Sequence, residues 1–169
     1  SIANGLIMLS ESRRDDGIVP VRSVRENASL ANLGRYIYGG YTHKRKERQE
    51  VGEMFGKMNV KTPSMDTEIS KLSGGNQQKV SLGKWLARDL KVLILDEPTR
   101  GIDIGSKAEI HKIIGEIAKS GIAVILISSE MPELIGCADR ILVMKEGGVS
   151  GVVDAGETDQ NELMRLAAL

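Results

Sequence analysis

Val92-Leu93-Ile94-Leu95-Asp96-Glu97-Pro98-Thr99 places four apolar residues in a row ahead of two carboxylates and a proline. An unbroken apolar run of strand length is the pattern of a central parallel strand covered on both faces. In open sheets of that kind ligands bind beyond the carboxyl ends of the strands. Asp96 and Glu97 stand at that end. Asp96 is suited to hold a Mg²⁺, directly or through water, because hard cations prefer oxygen ligands. Glu97 is placed to orient and deprotonate a water for in-line attack on phosphorus. Taken alone, the pair reads equally well as an acidic turn after a buried strand.

Downstream, the pattern predicts a helix over Ile104 to Lys119 closed by Gly121, and an apolar strand over Ala123 to Ile127. A short helix with Pro132 near its start, a strand over Arg140 to Met144 and a turn at Gly147-Gly148 follow. Val149 to Val153 then pairs back as a hairpin, and Thr158 caps a final helix. Upstream, Leu6 to Leu9 is a short buried strand and Ser10 to Arg22 a loop. Ser23-Val24-Arg25-Glu26 is a capping box that opens a helix to about Leu33. Gly34 to Tyr41 holds all three tyrosines and is expected to be irregular and partly exposed. Lys44 to Met58 is a charged helix with Val51, Met54, Phe55 and Met58 on one face. Strands alternating with helices predict an α/β fold with a parallel sheet, and residues 12–70 a mostly helical insert in it.

Between insert and strand lies Leu72-Ser73-Gly74-Gly75-Asn76-Gln77-Gln78-Lys79, ahead of a helical pattern through Val80, Leu82, Trp85 and Leu86. Small residues at a helix start let backbone N–H groups approach an anion, which suits a phosphate. A nucleotide site also calls for a lysine loop of the form G-x-x-x-x-G-K-[ST]. No such loop occurs: Gly56-Lys57 is followed by Met58 and Gly83-Lys84 by Trp85, with no glycine at the required spacing.

The 169 residues carry 23 Lys and Arg against 23 Asp and Glu, so there is no global pull toward nucleic acid or an acidic membrane surface. A single cysteine, Cys137, excludes an internal disulfide framework and fits a reducing compartment. No apolar run reaches the length of a membrane span and no signal-peptide pattern opens the chain. The chain starts without Met, directly before Gly5-Leu6-Ile7-Met8-Leu9, and is expected to be a fragment of a longer protein.

The ordered series of motifs resembles the ABC ATPases. Leu72 to Gln78 is similar to their signature motif, Val92 to Glu97 to their Walker B strand with its catalytic glutamate, and Gly101-Ile102-Asp103 to their D-loop. The wording of Ser10 to Gly17, Asn76 to Lys79, Glu97 to Asp103 and Ser128 to Glu133 resembles, more narrowly, the second cassette of double-cassette ATPases. Those ATPases power bacterial import of monosaccharides of the ribose, galactose and xylose type. The resemblance implies a partial P-loop NTPase fold: a parallel sheet core with a helical subdomain and a C-terminal β-hairpin plus helix. Residues 1–10 would end the first core part, 11–72 form the Q-loop region and helical subdomain, and 73–169 the signature helix, Walker B, D-loop and C-terminal core.

The resemblance further implies ATP and Mg²⁺ as cofactors, and a head-to-tail cassette pair in which each ATP lies between one lysine loop and the partner's signature. Ser73, Gly74, Gly75 and Gln77 would then serve an ATP held by the other cassette, on the same polypeptide. Asp96, with Glu11 as a further candidate metal ligand, and the catalytic Glu97 would serve a different ATP. Membrane permease subunits and, indirectly, a periplasmic or extracellular sugar-binding protein are the other implied partners, with no nucleic acid. The implied location is peripheral, on the cytoplasmic face of the membrane. Glu11 to Gly17 and Arg35 to Tyr41 are the expected permease-docking segments.

Two positions depart from the family pattern. Glu11 stands where the Q-loop glutamine is expected, and Ser129 where the switch histidine is expected. A serine hydroxyl cannot carry the charge or the reach of an imidazole. The site using Asp96 and Glu97 is therefore expected to hydrolyse ATP poorly, and the site completed by Ser73-Gly74-Gly75 to be the competent one. Without a lysine loop the 169-residue chain alone is expected to be inactive. Two further readings are a non-hydrolytic cassette lending its signature to a partner, and a soluble ABC ATPase of nucleic-acid metabolism. Trp85 and the methionines read as packing residues, Cys137 as a buried small residue with no metal partner, and Lys44 to Glu50 as a solvated helix face.

Overall fold

A computed structural model of the chain describes residues 2–12 and 16–168. Arg13, Arg14 and Asp15, inside the first expected docking segment, lie outside the described residues. Two compact units divide the chain, Ser1–Ile125 and Leu126–Leu169.

The first unit is built on β1 (Leu6–Leu9) and the strand over Val92–Asp96, which pair in parallel from Leu6 opposite Val92 to Leu9 opposite Leu95. Between them in sequence come α1 (Val24–Ser29), the two-residue strands β2 (Ile37–Tyr38) and β3 (Tyr41–Thr42), α2 (Lys44–Lys57) and α3 (Gly74–Leu86). The Val92–Asp96 strand is β4, followed by α4 (Ile104–Lys119) and β5 (Ala123–Ile127). The sheet order is β1-β4-β5, so β4 is central as expected. Its covering is not as expected. Leu93 and Leu95 are buried while Val92, Ile94 and Asp96 on the other face are only half-buried.

Local chemistry accounts for the helices. The expected capping box closes on α1: the Ser23 hydroxyl accepts from the Glu26 N–H, and the Ser23 N–H donates to Glu26 Oε2 at 2.9 Å. The helix ends at Ser29 rather than near Leu33 and tightens into a 3₁₀ turn over Leu30–Arg35. Asn32 breaks it there, leaving helical backbone angles to donate from Nδ2 to the Lys84 carbonyl at 2.7 Å. The stretch expected to be irregular holds the β2–β3 hairpin. Gly39 and Gly40 form its turn at φ 59° and 80°, the left-handed conformation that two-residue hairpin turns require.

The helical part has its own apolar centre, in which Val24 and Ala28 of α1 meet Val51 and Phe55 of α2, Val80 of α3, and Ile18, Ile69 and Leu72. Gly83 lets α2 lie close on α3, since a Cβ there would run into the Met54 and Met58 sulfurs. Burying each such aliphatic side chain contributes about 1.5–3 kcal/mol, which holds this part to the signature-like helix.

The second unit contains α5 (Met131–Cys137), β6 (Arg140–Lys145), β7 (Gly148–Asp154) and α6 (Gln160–Ala168). β6 and β7 form the expected antiparallel hairpin, with a register shift between Val143 and Met144. Ile141, Ala155 and Leu163 are its buried centre. Thr158 does not cap α6 as expected: its hydroxyl donates to Glu162 Oε2, and Asp159 Oδ1 accepts the Glu162 N–H at 2.8 Å. Cys137 is half-buried rather than buried, its thiol raised by desolvation and by nearby Glu133. Among the described residues no helix is long and apolar enough to cross a membrane.

Candidate phosphate-binding site

Ser73 is the N-cap of α3 with extended backbone angles, φ −60° and ψ 154°. Its hydroxyl caps no backbone N–H; it accepts from Asn76 Nδ2 at 2.9 Å and stays exposed. The first N–H groups of a helix have no intrahelical acceptor, so Gly74 and Gly75 bring donors and a positive dipole end to the same place. Asn76 anchors this corner by accepting the Lys61 N–H on Oδ1 at 2.7 Å.

Gln77 does not join that outward set. It is buried, and its Nε2 donates back to the Leu72 carbonyl at 2.9 Å and the Ile69 carbonyl at 3.3 Å. Its amide holds the turn that leads into Ser73 instead of facing a ligand. The reason is helical spacing: Gln77 lies on the same face as Val80 and Ser81, which are buried with it.

The start of α4 packs directly on the start of α3. A Cβ on Gly75 would overlap Ser106, lying 2.5 Å from its Oγ. Ser106 in turn donates its N–H to Asp103 Oδ1 at 2.9 Å, making Asp103 the N-cap of α4. That bond, with further backbone donors, holds the Asp103 carboxyl below its ordinary range. Ser73-Gly74-Gly75 and Gly101-Ile102-Asp103, widely separated in sequence, are thus one continuous surface joined through Ser106. Sequence spacing contains no sign of this contact.

The second cluster stands at the end of β4. Asp96 is half-buried and is the last residue of the strand. Glu97 follows with φ 47°, a left-handed backbone that costs a non-glycine residue about 1–2 kcal/mol. The turn is braced by Arg100 N–H to the Glu97 carbonyl at 3.1 Å and by buried Pro98 and Thr99. Glu11, just past β1, is ion-paired with Arg100. Its carboxylate is therefore directed to a cation of this chain, and among the described residues no three His, Cys, Asp or Glu side chains converge as a metal cluster. Sequence reasoning missed Arg100, whose only signal was its place next to the 101–103 turn. In the second unit, Ser128 Oγ donates to Glu133 Oε2 at 2.5 Å and accepts the Glu130 N–H at 3.0 Å, and Ser129 lies exposed in that turn.

Of the expected docking segments, Arg35 bonds the Ala87 carbonyl, Tyr36 is buried, and Ile37 to Tyr41 point outward.

Comparison with known proteins places these features in context. Residues 5–100 match the family described as ABC transporter. A Rhizobium etli protein, provisionally named a ribose/galactose/methyl galactoside import ATP-binding protein, is 51% identical over 167 residues, 99% of this chain and 32% of the relative. The arabinose import ATP-binding protein AraG of Pseudomonas syringae pv. tomato is 48% identical over 173 residues, again 99% of this chain and 33% of the relative. The chain thus spans about a third of the length of the curated relatives it matches. Among solved structures, cbiO1 of Clostridium perfringens, part of the ABC transporter complex cbiONQ, superposes with a TM-score of 0.76 at 24% identity, covering 97% of this chain and 63% of that one. The dimeric post-hydrolysis form of the ATP-binding cassette MJ0796, bound to ADP and Pi, gives 0.73 at 19% identity, covering 89% and 62%. These two likenesses bear on the fold, which is that of an ABC ATPase cassette.

Proposed function

The chain belongs to the ABC transporter family, and from that premise we propose that it is part of the ATPase that energises import of a monosaccharide across a bacterial membrane. The observation that supports this best is the start of α3, where the Ser73 hydroxyl is exposed, Gly74 is half-buried and no side chain caps the first N–H groups of the helix. Such a corner suits a terminal phosphate presented by a second cassette that supplies its own lysine loop. Bound ATP with Mg²⁺ would supply the phosphoanhydride; Ser73, Gly74 and Gly75 would hold its terminal phosphate, and Asp96 the metal of the other site.

The two half-sites are proposed to be unequal. Glu97 would take the proton of an attacking water, but Ser129 supplies no imidazole and Glu11 is engaged by Arg100. Gln77 acts through the Leu72 and Ile69 carbonyls by holding the loop. The 169 residues alone are expected not to turn over ATP. The names of the relatives favour ribose, galactose or arabinose as cargo, a second cassette and membrane permease subunits as partners, and a peripheral position at the membrane's cytoplasmic face. A cassette that lends its signature without hydrolysing is the second reading, favoured by the serine at 129.

The test is transport. The whole protein, reconstituted in liposomes with its permease and binding protein, should take up one of these monosaccharides only with ATP, and the sugar should stimulate hydrolysis. Hydrolysis stimulated by DNA or RNA but by no sugar would refute the proposal.

A further inference from the structure

The run Lys44-Arg45-Lys46-Glu47-Arg48 reads as a mixed-charge helix face, but the fold sorts its charges. Glu47 turns inward: it is 3% exposed, paired with Arg25 at 2.5 Å and accepting the Ser29 hydroxyl at 2.6 Å. Arg48 is directed sideways to Asp66 at 2.7 Å. Lys44 and Arg45 are exposed and form no ion pair among the described residues, and Lys46, half-exposed beside them, is paired with Glu50 at 3.9 Å. With His43 and Gln49 they line a shallow hollow of about 510 Å³. A chain of zero net charge thus presents a local surface with an excess of positive charge, Glu50 and Glu53 being the acidic side chains next to it.

The β2–β3 hairpin stands against this surface and is fixed to it. The Tyr38 ring meets His43 edge-on at 5.3 Å, and Lys46 Nζ lies 3.2 Å from the Tyr38 hydroxyl and 5.2 Å from its ring centre. Past that anchor the hairpin exposes Tyr41 (80%), Tyr38 (54%) and Ile37 (46%) around the Gly39-Gly40 turn. Amphipathic tyrosines beside unpaired lysine and arginine are the chemistry of a bilayer interface: the rings sit at headgroup level while the cations meet anionic phosphates.

We propose that the Ile37–Tyr41 tip and the Lys44–Lys46 cations together form a contact surface for anionic phospholipid bilayers. Charge complementarity selects this occupant, since the exposed Lys44 and Arg45 have no carboxylate partner among the described residues, Glu50 offsets only Lys46 and Arg35, and the exposed aromatics stand beside them. The surface would hold the protein on lipid beside the permease, independently of permease docking. The inference rests on the reading that the protein works at a membrane, but it is tested without any transport component.

The test is co-sedimentation of the whole protein with permease-free vesicles, either pure phosphatidylcholine or phosphatidylcholine with a substantial fraction of phosphatidylglycerol. Binding should require the anionic lipid and weaken as salt shortens the reach of the charges. The double substitution Lys44→Gln/Arg45→Gln should reduce partitioning about 25-fold, roughly fivefold per cation lost near the surface. Tyr41→Ser should also weaken it, whereas Lys112→Gln, an exposed cation on α4, should leave it nearly unchanged. All four positions are exposed, so unaltered melting temperatures show that the fold is retained. Equal binding to neutral vesicles, undiminished binding of the double variant, or binding that appears only with permease present would overturn the proposal. Sugar uptake that survives alongside any of these results would sink the lipid surface alone and leave the importer reading standing.

Discussion

Lys79 joins the helix that starts at Ser73 to the helix that follows Asp103. Its side chain, 2% exposed, runs from α3 to an ion pair with Glu109 on α4, and its ammonium also donates to the Asn59 carbonyl at 2.8 Å. Together with the Gly75–Ser106 contact, this fastens the Ser73 turn to the Asp103 turn at two points about one helical turn apart on α3.

The two ends of that pair should respond differently to mutation. Glu109→Gln leaves a buried cation with neutral acceptors only, the Asn59 carbonyl among them, whereas Lys79→Met replaces it with an apolar chain of similar length. Breaking buried pairs on one side costs about 3–5 kcal/mol. Glu109 is 40% exposed, so solvent screening reduces this to about 1–2 kcal/mol for Glu109→Gln. Lys79→Met should be near neutral. Urea unfolding measures both, and a larger loss for Lys79→Met would argue that the pair is not the strut described.

The Gly75–Ser106 approach predicts a specific rescue. Gly75→Ala should destabilise by about 1–3 kcal/mol through overpacking, because the new Cβ meets Ser106. Adding Ser106→Gly should recover most of the loss. Additive effects in a double-mutant cycle would count against direct contact.

Much of the fold is legible from local chemistry. The bounds of α4 follow from Asp103 at its start and Gly121 past its end, and the capping box of Ser23 and Glu26 from two residues three apart. The β2–β3 hairpin was also readable, since Gly39-Gly40 sits between Ile37-Tyr38 and Tyr41-Thr42, but three tyrosines in an otherwise glycine-rich stretch obscure the alternation. The rest depends on distant contacts. Gln77 is polar in a motif that suits phosphate, and only the packing of α3 against the helical part shows that its amide faces inward. Asn32 ends a helix early for a carbonyl at Lys84, and Glu11 meets Arg100 across 89 positions.

Acid should destabilise the first unit through its carboxylates. Hydrogen bonds from the Ser23 N–H and hydroxyl hold Glu26 below its ordinary value of 4.5, and Lys79 does the same to Glu109. Both are lowered in the folded state, so their contribution is complete above about 4.5 and is lost as pH falls through the lowered values. The melting temperature should be steady from neutral pH to about 5 and fall below it, with a shallower fall in Glu26→Gln. Stabilisation on acidification would contradict the sign.

Cys137 should react slowly with alkylating reagents. Burial and the neighbouring Glu133 raise its thiol, so less thiolate is present near neutral pH than in a free cysteine. Iodoacetamide labelling at pH 7.5 should be slower than for a model thiol, and Glu133→Gln should speed it. Labelling as fast as the model thiol would show the environment to be wrong.

The proposed division of labour has Ser73-Gly74-Gly75 completing the productive site and Glu97 serving the weaker one. The most direct measurement is steady-state ATP hydrolysis by the whole protein with Ser73→Arg, Gly74→Asp and Glu97→Gln, each checked for folding. Ser73→Arg fills the phosphate's place with a bulky side chain and Gly74→Asp sets a negative charge against it, so each should lower turnover by at least the roughly 10²–10³ that loss of one such donor costs. Glu97→Gln should retain much of it. Equal losses from both kinds of substitution, or a greater loss from Glu97→Gln, would contradict the claim.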